Sequence, residues 1–283
     1  MPAKSKLQWM ARSGYCARGL VFFIVGGLAL FSGFSPSDSD TKSALDILLE
    51  QPFGRVWVSA IALGLMGFVA WRLAQSVGNA DHHERDAKGT AIRAALFGSA
   101  LAYIALAYYA FDHALGLGTQ ANGGGEKGLA AWTLSLPFGR YLVAAIGVGF
   151  IFGGIVTVAK GVLRKYERYL SSEAVRIRAI TLASIYGLSA RGVLFAVVGS
   201  FMVYAGFEVN PDEAGTMGEA LTWIRNLPYG GALYVVTALG LVSFGVYNMI
   251  QARYRIVREP DVEPGIKDAV QGSAGALKRA VRS

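Results

Sequence analysis

The chain has 283 residues, 53% of them hydrophobic and 16% charged, with a formal net charge of +8. A soluble chain carries about 25% charged residues, so this composition, with a mean hydropathy of +0.41, excludes an ordinary water-soluble domain. The lone cysteine, Cys16, excludes an intrachain disulfide framework and is expected as a small core side chain.

Six apolar runs have bilayer-spanning length, about 20 residues each: roughly 11–34, 55–77, 91–115, 138–162, 182–207 and 229–252. No ten-residue alternating segments appear, which argues against a β-barrel. Lys4 and Lys6 precede the first run as they would in a leader. No A-x-A site follows, and 182–207 is its full-length counterpart, so the first run is expected to remain as a span.

After the first run comes "KSALDILLEQ" (42–51), then "PFGR" from Pro52, which opens the second run. A short loop, "ADHHERD", leads to the third. Beyond the glycine-rich "ANGGGEKG" (121–128), "KGLAAWTLSL" precedes a second "PFGR" from Pro137 and the fourth run. After the fifth run, "GEALTWIRNL" precedes "PYGG" from Pro228 and the sixth. The three stretches before the prolines place apolar residues at three- and four-residue spacing, for example Leu45, Leu48 and Leu49, or Leu221 and Ile224. That spacing predicts short amphipathic helices on the outer leaflet. Proline ends each helix, and Gly54, Gly139 or Gly230 is expected to turn the chain into the membrane.

The chain thus repeats with a period of about 85–90 residues. Twelve residues after each elbow proline stands a glycine, Gly64, Gly149 and Gly240, expected at a shared helix-packing site. In the odd-numbered runs Arg18, Ser99 and Arg191 align, as do Gly26, Ala107 and Gly199. Two-span units all point the same way, related by an axis along the membrane normal. The expected fold is all-α: a polytopic membrane protein whose six transmembrane helices form three tandem helix-hairpin repeats. These are arranged with pseudo-threefold symmetry and carry short outer amphipathic helices. The repeats are expected over 8–80, 88–166 and 178–255, with a basic, partly disordered cytoplasmic tail at 256–283.

The N-terminus, the 72–93 and 160–191 regions and the tail hold 22 of the 27 lysines and arginines. By the positive-inside rule both termini are expected in the cytoplasm, in the bacterial inner membrane. The pI near 9.6 is therefore a topological signal, and no basic-aromatic pattern points to nucleic acid.

The segment "ARSGYCARGLVFFIVGGLAL", its later copy "GLSARGVLFAVVGSFMVYAG" and the P-[FY]-G elbows resemble the bacterial membrane family known as domain of unknown function 1206. The resemblance covers about residues 8–255 and implies an integral membrane protein of three tandem two-helix repeats, with no activity attached. The middle copy, "AIRAALFGSALAYIALAYYAF", keeps Arg93 where the first has Arg12 but carries Ser99 where the others have arginine.

Two arginines inside apolar runs leave two readings. Either Arg18 and Arg191 snorkel to cytoplasmic headgroups, or they face the bundle interior. In the second case they either join a purely structural hydrogen-bond network or form, with Arg12 and Arg93, a positive vestibule for an anion or lipid phosphate, because a guanidinium fork suits phosphate and carboxylate. Tyr15, Ser99, Tyr186 and Ser189 are candidate partners. Arg55 and Arg140 are expected to anchor helix ends, and Trp57, Trp71, Trp132 and Trp223 to form an interfacial belt. His82 and His83 are expected in a solvated loop, and His113 with Asp112 ends the third run. No HExxH, GxSxG or P-loop pattern occurs, so neither catalytic nor metal-binding residues nor a cofactor are expected.

The expected function is a structural or accessory component of the membrane; the alternative is anion or lipid-headgroup binding or transport through an arginine-lined vestibule. Three two-span repeats are similar in outline to mitochondrial carriers, but the P-x-[DE]-x-x-[KR] signature is missing. The expected partners are membrane lipids, anionic ones included, and other membrane proteins.

Overall fold

The computed structural model describes residues 3–31, 45–46, 48–84, 86–116, 126–210 and 213–257. The expectations for 36–41, for the glycine run at 121–125 and for the tail from 258 lie outside them. Within the described residues the chain is helical, and its one β-type pairing is an isolated bridge between Leu170 and Arg255. Six helices are long and apolar enough to cross a membrane. They are α1 (Ala3–Phe31), α2 (Gly54–Ser76), α3 (Ala87–Leu115), α4 (Gly139–Val162), α5 (Arg178–Glu208) and α6 (Gly230–Tyr254).

Each even-numbered helix starts the same way. The elbows close Gly54 N–H onto the Gln51 carbonyl at 2.8 Å, Gly139 onto Leu136 at 2.9 Å and Gly230 onto Leu227 at 2.7 Å. The residue in the left-handed region is the aromatic one, not the glycine: Phe53 at φ 60, Phe138 at φ 61 and Tyr229 at φ 61. Proline at the second turn position and positive φ at the third are the marks of a type II turn. The elbow glycines serve a different need from the expected turn. A Cβ on any of them would strike a carbonyl of the residues just before the elbow. The three rings stand out from the surface where interfacial aromatics anchor a helix end.

Ala130 on the short helix Glu126–Leu134, Leu221 and Ile224 on Met217–Arg225, and Leu45 in the first repeat are buried. Met217–Arg225 begins with a capping box, Thr216 and Glu219 satisfying each other's backbone N–H.

The helices form a ring in chain order. α1 packs on α2 and on α6, α2 on α3, α4 on α5, and α5 on α6. The three seams between repeats use one register. Gly19 meets Gly245, a Cβ on either lying 2.9 Å from the other's carbonyl oxygen, and the aligned Gly192 meets Gly154. Gly26 approaches Val242, and the aligned Gly199 approaches Ile151. In the third seam the aligned Ala100 and Ala107 are fully buried. Along α4 and α5 the contact glycines recur every seven residues: Gly147, Gly154 and Gly161 face Gly199, Gly192 and Leu188. A seven-residue small-residue spacing lets two backbones approach along their length.

The seams within repeats are also alike, with one exception. Gly14 lies on Phe68 and the aligned Gly187 on Phe244; Gly64 lies on Ala17 and the aligned Gly240 on Ala190. In the middle repeat the aligned Gly98, Gly149 and Gly153 have open space where a Cβ would go, and α3 and α4 form no seam. The expectation that Gly149 shares a packing site with Gly64 and Gly240 is therefore corrected: its hairpin is splayed, and Gly147 and Gly154 carry the contact instead. Two smaller corrections follow. Cys16 is exposed, not a core side chain. Trp71 is fully buried, not interfacial.

Overpacking a close seam costs about 1–3 kcal/mol. Gly192→Leu is therefore expected to lower the thermal midpoint of the detergent-purified protein by several degrees, while Gly149→Leu, placed in open space, leaves it within about 0.5 kcal/mol of the wild type. Equal midpoints for the two variants would contradict the assignment of seams.

Candidate functional site

Arg18 lies eleven residues beyond Leu7, where the first span begins, and Arg191 thirteen beyond the start of α5. At about 1.5 Å per residue both are some 16–20 Å from those helix starts. They do not snorkel. Each is more than nine-tenths buried, Arg18 at 7% exposure and Arg191 at 8%. This settles the choice of the sequence in favour of the interior.

What surrounds them is aromatic. The Arg18 guanidinium lies 5.8, 5.0, 5.4 and 5.1 Å from the ring centres of Phe22, Phe68, Tyr103 and Phe244. The Arg191 guanidinium lies 4.8, 4.3 and 4.6 Å from Phe22, Phe195 and Phe244. Such contacts stabilise a desolvated cation by up to about 2 kcal/mol. The phenol of Tyr103 interacts electrostatically with both guanidiniums. Phe22, Tyr103 and Phe195 occupy one repeat position, a turn beyond Arg18, Ser99 and Arg191. Phe68 and Phe244 occupy another, whose middle-repeat residue is Gly153.

Among the described residues no carboxylate lies within ion-pair distance of either arginine. Arg18 Nε and Arg191 Nη1 are buried and have no hydrogen-bond partner. A buried charge left without a counter-charge is costly, and a guanidinium does not escape the cost by losing its proton.

The other predicted site residues are not brought to this pair. Arg93 donates Nε to the Ser76 carbonyl at 2.6 Å and Nη2 to the Val77 carbonyl at 3.2 Å, closing the end of α2. Arg12 is half-buried, with its Nε unpartnered. Tyr15 accepts a hydrogen bond from Trp71 Nε1 at 3.2 Å. Ser99 is half-buried on α3. Tyr186 donates to the Val236 carbonyl and ties α5 to α6, and Ser189 is half-buried.

A second polar cluster lies nearer the termini, and sequence reasoning missed it. Arg255 ends α6 and pairs with Asp81 of the α2–α3 loop at 3.0 Å, both side chains being over nine-tenths buried. Gln75 donates to Asp81 at 2.6 Å and accepts from Arg72 at 3.1 Å; Gln251 accepts from Arg255 at 2.9 Å and donates to the Tyr247 hydroxyl. Tyr15, Trp71 and Tyr169 stack around the Arg255 guanidinium, and Lys160 lies 4.7 Å from the Tyr169 ring. The signal for this layer was present: Gln75, Lys160 and Gln251 each stand eleven residues past the aligned glycines. The "ADHHERD" segment is correspondingly more ordered than a solvated loop, with Asn79 bonded to both backbone groups of His83 at 2.9 Å.

Geometry of this kind defines a polytopic helical membrane protein, built as three two-helix repeats around a basic, aromatic interior. The model of the family described as Domain of Unknown Function (DUF1206) matches residues 13–78, 94–164 and 186–255, and the chain belongs to that family. It is also similar to Uncharacterized protein YxxB of Bacillus subtilis (strain 168), 28% identical over 257 residues, which covers 89% of this chain and 92% of that protein. No solved structure matches. Neither comparison carries a specific activity.

Burial alone raises the Asp81 pKa, but Arg255, the Gln75 hydrogen bond, Lys160 and Arg72 together hold it below the ordinary carboxylate value. A depressed folded-state pKa contributes stability above the unfolded value, near 3.9, that is lost as pH falls through the folded value. Asp81→Asn should cost about 3 kcal/mol at pH 7 and flatten the acid limb of thermal stability below about pH 4. An unchanged acid limb would remove the pair from the stability account.

Proposed function

We propose that the protein is a non-catalytic, accessory component of the bacterial cytoplasmic (inner) membrane that holds an anionic group at Arg18 and Arg191. The observation that carries this reading is the pair's electrostatic incompleteness. Two buried guanidiniums share the rings of Phe22 and Phe244 and have unpartnered N–H groups, with no carboxylate beside them. A phosphate or carboxylate supplies what that arrangement lacks, since charge-assisted hydrogen bonds to a guanidinium are among the stronger ones available. Binding is favoured over passage because the rings of Phe22 and Phe244 lie against both arginines and crowd the interior around them. The distribution of lysine and arginine supports cytoplasmic N- and C-termini, which puts the Asp81–Arg255 layer on the cytoplasmic side.

The test is a titration of detergent-purified protein with glycerol phosphate and with dioctanoyl phosphatidylglycerol. The wild type is expected to bind at least one of them. Arg18→Ala with Arg191→Ala should weaken that binding by about tenfold or more, the scale of one lost charge-assisted contact. Binding unaltered by the double substitution contradicts the reading.

A further inference from the structure

Among the described residues the ring is open at one place, between α3, whose Tyr103 lies against Arg18, and α4. In the first and third repeats, the within-repeat seam closes through Ala17 on Gly64 and Ala190 on Gly240, and through Gly14 on Phe68 and Gly187 on Phe244. The aligned positions of the middle repeat are Gly98 with Gly149, and Ala95 with Gly153. All three glycines face open space, Ala95 is exposed, and α3 and α4 do not pack together. Their spans are also the least buried of the six, at 22% and 17%.

Depth and chemistry coincide there. Phe68 and Phe244 are the rings that lie against Arg18, at 5.0 and 5.1 Å. Gly153 holds their position in the third sector, so that sector brings no ring at this position and has open space there instead. Ser99, beside Gly98, replaces the third arginine with a hydroxyl. Along the same two helices Leu101, Ile104, Phe152 and Ile155 present an apolar surface.

Resting on the anion-site reading, we infer that the ligand is an anionic phospholipid, taken in sideways between α3 and α4. Its headgroup phosphate meets Arg18 and Arg191 while its acyl chains stay in the bilayer along the open seam. Charge complementarity selects this occupant: a neutral helix or a zwitterionic lipid brings no net negative charge to the two unpaired guanidiniums. Acyl chains match the apolar walls, and a headgroup reached through a lateral opening does not have to pass the Asp81–Arg255 layer.

The experiment compares lipid retained by full-length protein variants in native mass spectrometry from mixed vesicles of phosphatidylglycerol and phosphatidylcholine. The wild type should retain phosphatidylglycerol in preference to phosphatidylcholine. Gly153→Phe restores the ring of the other repeats and fills the seam, so retention should fall by about tenfold. Gly27→Phe, on an open position of α1, should leave it unchanged. Gly98→Leu fills the seam from the opposite wall and stands in if Gly153→Phe does not fold. Retention undiminished in both seam variants, but lost in Arg18→Ala with Arg191→Ala, keeps the anion site and overturns the lateral route. A wild type that binds glycerol phosphate without preferring phosphatidylglycerol overturns the lipid assignment alone. Retention that survives the arginine substitutions removes the anion site and this inference with it.

Discussion

Two positive charges with no counter-charge among the described residues sit in the middle of an apolar bundle, and the rest of the structure is arranged around that fact. Arg18 and Arg191 both lie against Phe244, so they stand within about 10 Å of each other and repel. Water does not screen them at that depth. Aromatic faces, whose quadrupoles attract cations, are the partners an apolar interior offers at least desolvation cost. Five rings, one of them the phenol of Tyr103, line the pair, drawn from α1, α2, α3, α5 and α6. A third arginine at the Ser99 position would add a third like charge to the repulsion. The middle repeat departs from the others at that position, and also at Gly153.

Threefold repetition therefore organises the seams but not the centre. The three contacts between repeats follow one register of glycine or alanine, and two of the three hairpins close identically. The exception combines small residues with exposed apolar helices, so the break in symmetry falls at the middle repeat, between α3 and α4. Nearer the termini the ring is fastened by a different device. Asp81 and Arg255 belong to the first and third repeats, 174 residues apart, and Gln75 and Gln251 hold the two from aligned positions. The seam between α1 and α6 is thus closed by both backbone proximity and a buried ion pair.

The helix count, the common heading of the hairpins and the alignment of Arg18 with Arg191 were all legible in the sequence, because apolar length and a three-times-repeated elbow are strong one-dimensional signals. The direction of those arginines was not. A lone arginine in a span reads the same whether it turns inward or outward, and only the aromatic residue one turn later distinguishes the two. That residue, Phe22, Tyr103 or Phe195, was visible in the register but has no meaning without the facing Phe68 and Phe244. The recurrence of Gly64 and Gly240 drew attention to Gly149, which, like Gly153, lies in open space. The heptad of Gly147, Gly154 and Gly161 on the same helix makes the contact, because seven residues return to one face of a helix more faithfully than four. The Asp81–Arg255 pair joins two loop-end residues whose neighbourhood exists only once the ring closes, so local pattern gave no sign of it.

The central claim is that the Arg18–Arg191 pair is completed by an anion. An experimental structure of the protein in a bilayer containing phosphatidylglycerol tests it most directly. The account predicts density for an anionic group within hydrogen-bonding distance of Arg18 Nε and Arg191 Nη1. Finding both nitrogens satisfied by protein groups or water alone, with no anion between the guanidiniums, would contradict it.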